Sequence, residues 1–209
     1  MSKKIIAVNA GPEMGWEKEA LITEASKGAE STGAVVERFD LFRLEKYAGC
    51  ISCFGCKKDP YTGHCVCRDG LTPVLDAIQK ADGLMIGFPG SLTEITTSVR
   101  SLYDRLIIPK LTDNFEIPGC NEHPIPVLLI VNCNGPDTVF IKLLRNYQQI
   151  LSHLVGPTEV FISGNIIEPG EYNKTGWNLP GPEEKQERQD TICTKERKKV
   201  FQLGFHLAS

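Results

Sequence analysis

The segment HPIPVLLIVNCNG (residues 123–135) contains an unbroken apolar run between its prolines and an Asn/Gly loop. A strand with one face in water alternates apolar and polar residues, so a continuous apolar run indicates a strand that is covered on both faces. KKIIAVNAG (3–11) and GLMIGFPGS (83–91) have the same character. Strands of this kind are typical of a parallel sheet that is buried between two layers of helices.

Two more strand patterns, 33–41 and 158–166, alternate with segments of helical spacing at 16–32, 69–82, 94–107, 137–155 and 181–208. Five alternations of strand and helix predict an α/β fold, a doubly wound five-stranded parallel sheet with the flavodoxin-like order 2-1-3-4-5. We expect a single domain over residues 1–209, with a cysteine-rich insertion at about 48–68 and a C-terminal helix at about 182–208.

Composition and charge narrow the classes of function. A net charge of -3 favours neither nucleic acid nor a membrane surface as a partner. The first apolar run, residues 5–8, is too short for a signal peptide or a membrane span. We therefore expect a cytoplasmic protein, in which thiols stay reduced and clustered cysteines more often bind metal or do redox chemistry than form disulfides.

Five of the eight cysteines lie in GCISCFGCKKDPYTGHCVCRDG (49–70). Cys50, Cys53 and Cys56 form a C-x2-C-x2-C run, which lets one loop supply three ligands to an iron–sulfur cubane, with Cys65 or Cys67 as the fourth. A zinc site and a set of reduced thiols without metal are the alternatives. The zinc site would use Cys53, Cys56, His64 and Cys65.

Ligands of a doubly wound sheet bind outside the carboxyl ends of its strands. The loops 9–16, 42–68, 88–94 and 132–137 leave that edge, so the connectivity places the cysteines beside a cofactor crevice. Gly11 and Gly15 are either a phosphate cradle or an ordinary turn.

The cysteine pattern, together with AIQKADGLMIGFPGSLTEITTSVRSLYDRL (77–106) and VFQLGFHLA (200–208), resembles the iron–sulfur flavoproteins, a branch of the NAD(P)H-dependent FMN reductase family. The resemblance runs nearly end to end. It implies that Cys50, Cys53, Cys56 and Cys65 ligate a 4Fe–4S cluster, with Cys67 as a spare. It also implies an FMN site without dedicated catalytic residues, formed by Asn9, Gly11, Met14, Gly15, Trp16, Phe88, Pro89, Gly90, Ser91, Leu92, Asn132, Cys133, Asn134 and Gly135.

The resemblance further implies an FMN-dependent oxidoreductase that takes electrons from ferredoxin or NAD(P)H and forms a homo-oligomer, in which one subunit's cluster loop faces another's flavin. Two departures favour a rival hypothesis. Glu13 and Glu17 stand where the family has an arginine and an asparagine, and Ser91 replaces an aromatic residue. The rival is a flavin-less electron relay or redox-responsive binding module, and a plain flavin or quinone reductase without a cluster is a third hypothesis.

Overall fold

The computed structural model describes residues 2–11, 17–58, 63–90, 94–111, 123–133, 137–164 and 182–209. Its strands are β1 (Lys4–Asn9), β2 (Val35–Asp40), β3 (Gly83–Gly90), β4 (Val127–Cys133) and β5 (Thr158–Gly164). Its helices are α1 (Glu17–Glu30), α2 (Thr72–Ile78), α3 (Thr97–Ile107), α4 (Asp137–Leu154) and α5 (Pro182–Ala208). None of these described helices has the length and apolar composition needed to cross a membrane.

The five strands form one parallel sheet in the order β2-β1-β3-β4-β5, which confirms the predicted topology. β3 lies at the centre, and at its carboxyl end Pro89 pairs with Asn132 of β4. Asn132 pairs in turn with Ser163 of β5. The predicted residues Asn9, Pro89 and Asn132 lie at the carboxyl ends of β1, β3 and β4, which are neighbours in the sheet.

Helices cover both faces of the sheet. On one face, Ile5, Met85 and Leu128 pack against α1 and α5. On the other, alternate residues of the same strands pack against α2, α3 and α4. Each buried Leu or Ile contributes about 1.5–3 kcal/mol relative to its exposed state, so two-sided burial explains the continuous apolar runs in the sequence.

Helix α2 is shorter than the sequence predicted. The helical spacing covers residues 69–82, whereas the helix spans only Thr72–Ile78. The Asp69 carboxylate accepts hydrogen bonds from the Leu71 and Ala48 amides, at 3.0 and 3.1 Å, and it pairs with an arginine of α3. Because Asp69 joins chain segments that are distant in sequence, it lies ahead of the helix instead of starting it.

Helices α1 and α5 cross in backbone contact at Gly28 and Gly204. A Cβ atom built on Gly28 would lie 1.9 Å from the Phe201 carbonyl oxygen, and one built on Gly204 would lie 1.9 Å from that of Ala25. Both obstacles are backbone atoms, which cannot rotate away. Glycine at these two positions is therefore what allows the helices to lie so close.

We predict that Gly204→Ala lowers the free energy of unfolding by about 1–3 kcal/mol, because a methyl group at this crossing overpacks it. Alanine is the better helix former by roughly 1 kcal/mol, so without the clash the variant would be stabilised. Urea unfolding of the variant and wild type measures the difference. A rise in stability would show that α5 shifts without cost.

Candidate functional site

All five cysteines of the cysteine loop (residues 48–69) line one cavity of about 150 Å³. Cys56 is buried, Cys53 is exposed, and Cys50, Cys65 and Cys67 are half-buried. The structure thus brings together the four predicted cluster ligands and the predicted spare. Cys133 lies apart, buried in β4.

Two residues between the first three cysteines have an unusual backbone conformation. Ser52 and Phe54 have positive φ values of 54° and 52°, a left-handed geometry that is uncommon for residues other than glycine. The Ser52 amide donates to the Cys50 sulfur at 3.5 Å. Successive amides in such turns form concave anion sites, including those around iron–sulfur clusters, so this geometry suits anionic sulfur ligands.

The two halves of the cysteine loop pack closely against each other and against the end of α3. A Cβ atom on Gly55 would lie 2.5 Å from a Val66 methyl carbon. Lys57 donates to the carbonyl oxygens of Pro109, at 3.0 Å, and Leu111. These contacts hold the short 3₁₀ turn Gly55–Lys57 in place, and with it the Cys56 thiol.

Burial raises the pKa of the Cys56 thiol above its ordinary value, with smaller contributions from nearby Cys65 and Cys50.

The thiols do not converge on a single point. Within the described part of the chain, no three His, Cys, Asp or Glu side chains lie close enough together to hold one metal ion. Zinc requires four converging ligands. In a cubane each thiolate binds its own iron, so the four thiols need not converge on one point.

The two ends of the cysteine loop meet in a narrow neck, formed by residues 45–48 and 69–70. The Gly70 amide donates to the Lys46 carbonyl oxygen at 3.2 Å. A Cβ atom on Gly70 would lie 2.2 Å from the Glu45 carbonyl oxygen. The backbone therefore closes on itself at this point, and only glycine at position 70 allows the approach.

Arg105 of α3 bridges this neck. Its Nη1 donates to both carboxylate oxygens of Asp69 at 2.6 Å and to the Ala48 carbonyl oxygen at 3.3 Å. Its Nη2 donates to the Cys67 carbonyl oxygen at 2.7 Å. The Arg105 side chain has no exposed area. Buried pairs that lose one member are destabilised by about 3–5 kcal/mol, so the neck depends on this contact. Two adjacent charged residues on a predicted helix indicate structural ion pairs, and Asp104 and Arg105 each form one, with Arg100 and Asp69.

Both members of this pair are charged at neutral pH. Burial acts to raise the pKa of Asp69, but the hydrogen bonds from Arg105 and from the Ala48 and Leu71 amides outweigh it and lower the pKa. Burial likewise acts to lower the pKa of Arg105, and hydrogen bonds to Asp69 and Cys65 raise it. Because the Asp69 pKa is lowered, its stabilisation is present above the ordinary aspartate pKa and is lost as the pH falls through the lowered value.

The cavity lies farther from the carboxyl edge than the connectivity suggested. Its lining includes Arg105, Ile108 and Pro109, at the C-terminal end of α3 and just beyond it. Ser98, near the start of α3, donates to the Ala10 carbonyl oxygen at that edge, at 3.5 Å. Ser98 and Arg105 are about 10 Å apart along the helix. The cysteine loop leaves the carboxyl edge and turns back along α3, because the neck is held there.

Seven of the residues predicted to bind FMN are described, and three of them, Asn9, Gly11 and Cys133, already have hydrogen-bond partners. The Asn9 amide donates to Asp40 Oδ1 at 2.8 Å and accepts from the Gly11 amide at 3.2 Å. Phe88 is buried in the core, and the Cys133 thiol donates to the Ser163 carbonyl oxygen at 3.6 Å. Pro89 and Gly90 are half-buried. The predicted positions Met14, Gly15, Trp16, Ser91, Leu92, Asn134 and Gly135 lie outside the described residues.

Asn132 is different, because neither side-chain polar atom has a hydrogen-bond partner within the described residues. The residue is only 4% exposed. A buried polar group without a partner costs about 1–3 kcal/mol, so such a group needs an explanation. The Asn132 amide lies at the carboxyl end of β4, the side on which doubly wound sheets generally bind ligands.

Known proteins support this fold. No protein-family model matches the chain. A curated protein named iron-sulfur flavoprotein, from Methanosarcina thermophila, is 23% identical over 175 residues, which are 83% of this chain and 87% of that protein. An NAD(P)H:quinone oxidoreductase from Methanothermobacter marburgensis superposes with a TM-score of 0.70 at 12% identity, over 99% of this chain and 100% of that one. The chain has a flavodoxin-like fold.

A second solved structure is an FMN-dependent NADH-azoreductase from Bacillus anthracis str. Ames Ancestor in complex with FMN. It superposes with a TM-score of 0.67 at 12% identity and covers 100% of both chains. Another azoreductase, from Bacillus anthracis str. Sterne, has a TM-score of 0.67 at 13% identity, over 99% of this chain and 100% of that one. At these identities, the superpositions establish the architecture.

We predict that Asn132→Leu raises the free energy of unfolding of the ligand-free protein by about 1–3 kcal/mol, because it replaces orphaned polar atoms with an apolar side chain of similar size. Asn9→Leu is the matched control and should destabilise, since the Asn9 amide has two partners. Thermal and urea unfolding of the two variants measure both effects. If both substitutions destabilise equally, the Asn132 amide is satisfied inside the protein.

Proposed function

We propose that this protein is a redox protein that passes electrons through a 4Fe–4S cluster and FMN, between a cellular donor and a second redox partner. The observation that carries the proposal is the set of five thiols around one cavity in a chain with a flavodoxin-like fold. The name of the curated relative, iron-sulfur flavoprotein, pairs an iron–sulfur group with a flavin and so supports the proposal.

Cys50, Cys53, Cys56 and Cys65 would hold the cluster, which supplies one-electron transfer when bound. The residues around them fit this group in three ways. The thiols are soft donors, the Ser52 amide points at the Cys50 sulfur, and the cavity walls include the apolar Ile108 and Pro109. Solvent exclusion by such walls is one of the factors that set cluster potentials.

Asn132, Gly11, Pro89 and Gly90 would form the described part of the FMN site. The buried Asn132 amide offers both a donor and an acceptor to a polar ring edge. Among the described residues, a Cβ atom on Gly11 would contact just Asn9 Oδ1, at 3.4 Å, an ordinary van der Waals distance. The flavin would exchange two electrons with the donor and one at a time with the cluster.

We propose NAD(P)H or ferredoxin as the donor, which makes the protein an FMN-dependent oxidoreductase. The named activities of the structural neighbours support NAD(P)H. The large apolar side chains of Ile51, Phe54 and Val66 are exposed beside the cysteine cavity. Exposed apolar groups of this kind support a homo-oligomer in which another subunit covers the cysteine loop.

A flavin-less electron relay is the second candidate, and the packing at the carboxyl edge favours it. Phe88 is 4% exposed, and a Cβ atom on Gly90 would lie 2.6 Å from the Phe140 ring. Asn9 is already hydrogen-bonded. In this hypothesis the cysteine site alone carries electrons, and the orphaned Asn132 amide binds another small polar molecule.

The cluster is tested by the iron and sulfide content of anaerobically purified protein. We predict about four iron atoms per chain in wild type, and their loss in Cys53→Ser and Cys65→Ser, because serine is a poor ligand for iron in clusters of this type. Cys67→Ser is the matched control and should retain iron. Folded wild type without iron, in which all five thiols react with a thiol reagent, would rule out the cluster.

The flavin is tested by titrating FMN into wild type and Asn132→Leu while following flavin fluorescence. We predict saturable binding to wild type and an affinity for FMN that is about tenfold lower, or lower still, in the variant. The reason is that one lost hydrogen bond of about 1.4 kcal/mol corresponds to one decade in affinity. Iron in wild type without FMN binding would favour the relay. FMN binding without iron would favour a plain flavin reductase.

A further inference from the structure

Arg105 occupies an unusual position for a charged residue. It extends from α3, which packs on the sheet, and it contacts the cysteine loop both before and after its cysteines, at Ala48, Cys67 and Asp69. Its side chain is fully buried, whereas that of Asp69 keeps 17% exposure. One guanidinium therefore connects the neck of the cysteine loop to the body of the fold.

Arg105 also lines the cysteine cavity, where it is the single cation among the described lining residues. The lining includes one carboxylate, Asp104, which pairs with Arg100 at 2.9 Å. The Arg105 Nε is buried and has no hydrogen-bond partner within the described part of the chain. A buried guanidinium with an unused donor, placed among five thiols, is arranged to face an anion.

We infer that Arg105 is a positioning residue that closes the neck of the cysteine loop and acts as the internal counter-ion of an anionic thiolate-bound group in the cavity. The inference rests on the proposed function, because the anionic group whose charge Arg105 compensates is the proposed cluster. The clasp and the counter-ion are two consequences of the same buried cation, and each has its own measurement.

The counter-ion role has a sign that can be measured. Reduction of a cluster adds one electron without making or breaking a bond, so a positive charge nearby favours the reduced form. Arg105→Gln should move the midpoint potential to a more negative value. Asp69→Asn removes a negative charge from the same buried network and should move the potential to a more positive value.

An exposed ion pair that joins the cysteine loop to α2 provides matched controls. Arg68 and Asp76 lie 3.1 Å apart, with side chains 66% and 50% exposed. Arg68→Gln and Asp76→Asn make the same charge changes near the cavity, but solvent screens them. We expect these two variants to leave the potential close to that of wild type.

The clasp role is tested in protein from which iron has been removed anaerobically with a chelator, so that it does not depend on a cluster. Hydrogen exchange of the amides in residues 45–70 should be about tenfold faster or more in Arg105→Gln than in wild type, because the neck loses its bonds to α3. Arg105→Lys keeps the charge but not the planar fork. It should show fast exchange together with a near-wild-type potential.

The outcomes separate the two roles and the proposed function. Shifts of the potential in the same direction in Arg105→Gln and Asp69→Asn would come from loosened packing and would overturn the counter-ion role. Unchanged exchange in Arg105→Gln and Arg105→Lys would overturn the clasp. A wild type that binds no iron would overturn the proposed cluster and with it the counter-ion, while the exchange result would still decide the clasp.

Discussion

Burial of the sheet on both faces is the constraint on which the rest of this molecule depends. Strands that contact helices on both sides have no room for polar chemistry along their length, because each buried polar group requires a partner. Polar and reactive residues are therefore restricted to strand ends and to the loops beyond them. The two candidate sites follow from this constraint, one at the carboxyl edge and one in the cysteine loop after β2.

At the carboxyl edge, the constraint makes Asn132 conspicuous. Asn9 is just as buried, at 4% exposure, but its amide is bonded to Asp40 and Gly11. Asn132 has the same side chain and the same burial, but it has no partner among the described residues. An unsatisfied amide of this kind lowers the stability of the empty protein and can be satisfied by a ligand, and this makes it a better indicator of a site than proximity to the edge.

The cysteine loop lies outside the two apolar cores for most of its length and depends on a small number of polar contacts. Lys57 bonds the carbonyl oxygens that follow α3, while Arg105 and Asp69 bond the neck. A buried ion pair is geometrically demanding, since it is stabilising only when both partners are correctly placed. Such a contact sets the position of the loop and the charge beside the thiols together, so the electrostatics of the cavity is linked to its architecture.

The sheet, its strand order and the grouping of the cysteines could be predicted from the amino-acid sequence. The strands and the cysteine grouping come from local signals, because apolar runs such as 127–131 and the C-x2-C-x2-C spacing are contained within single segments. The strand order followed from the fold class that five strand–helix alternations indicate. The folded structure was needed to show that Arg105 and Asp69, 36 positions apart, close the neck and that the cavity lies against the C-terminal end of α3. It was also needed to show that Asn9 has partners and that Asn132 has none among the described residues. Each of these depends on which side chains meet across the fold, and sequence periodicity does not encode such meetings between distant residues.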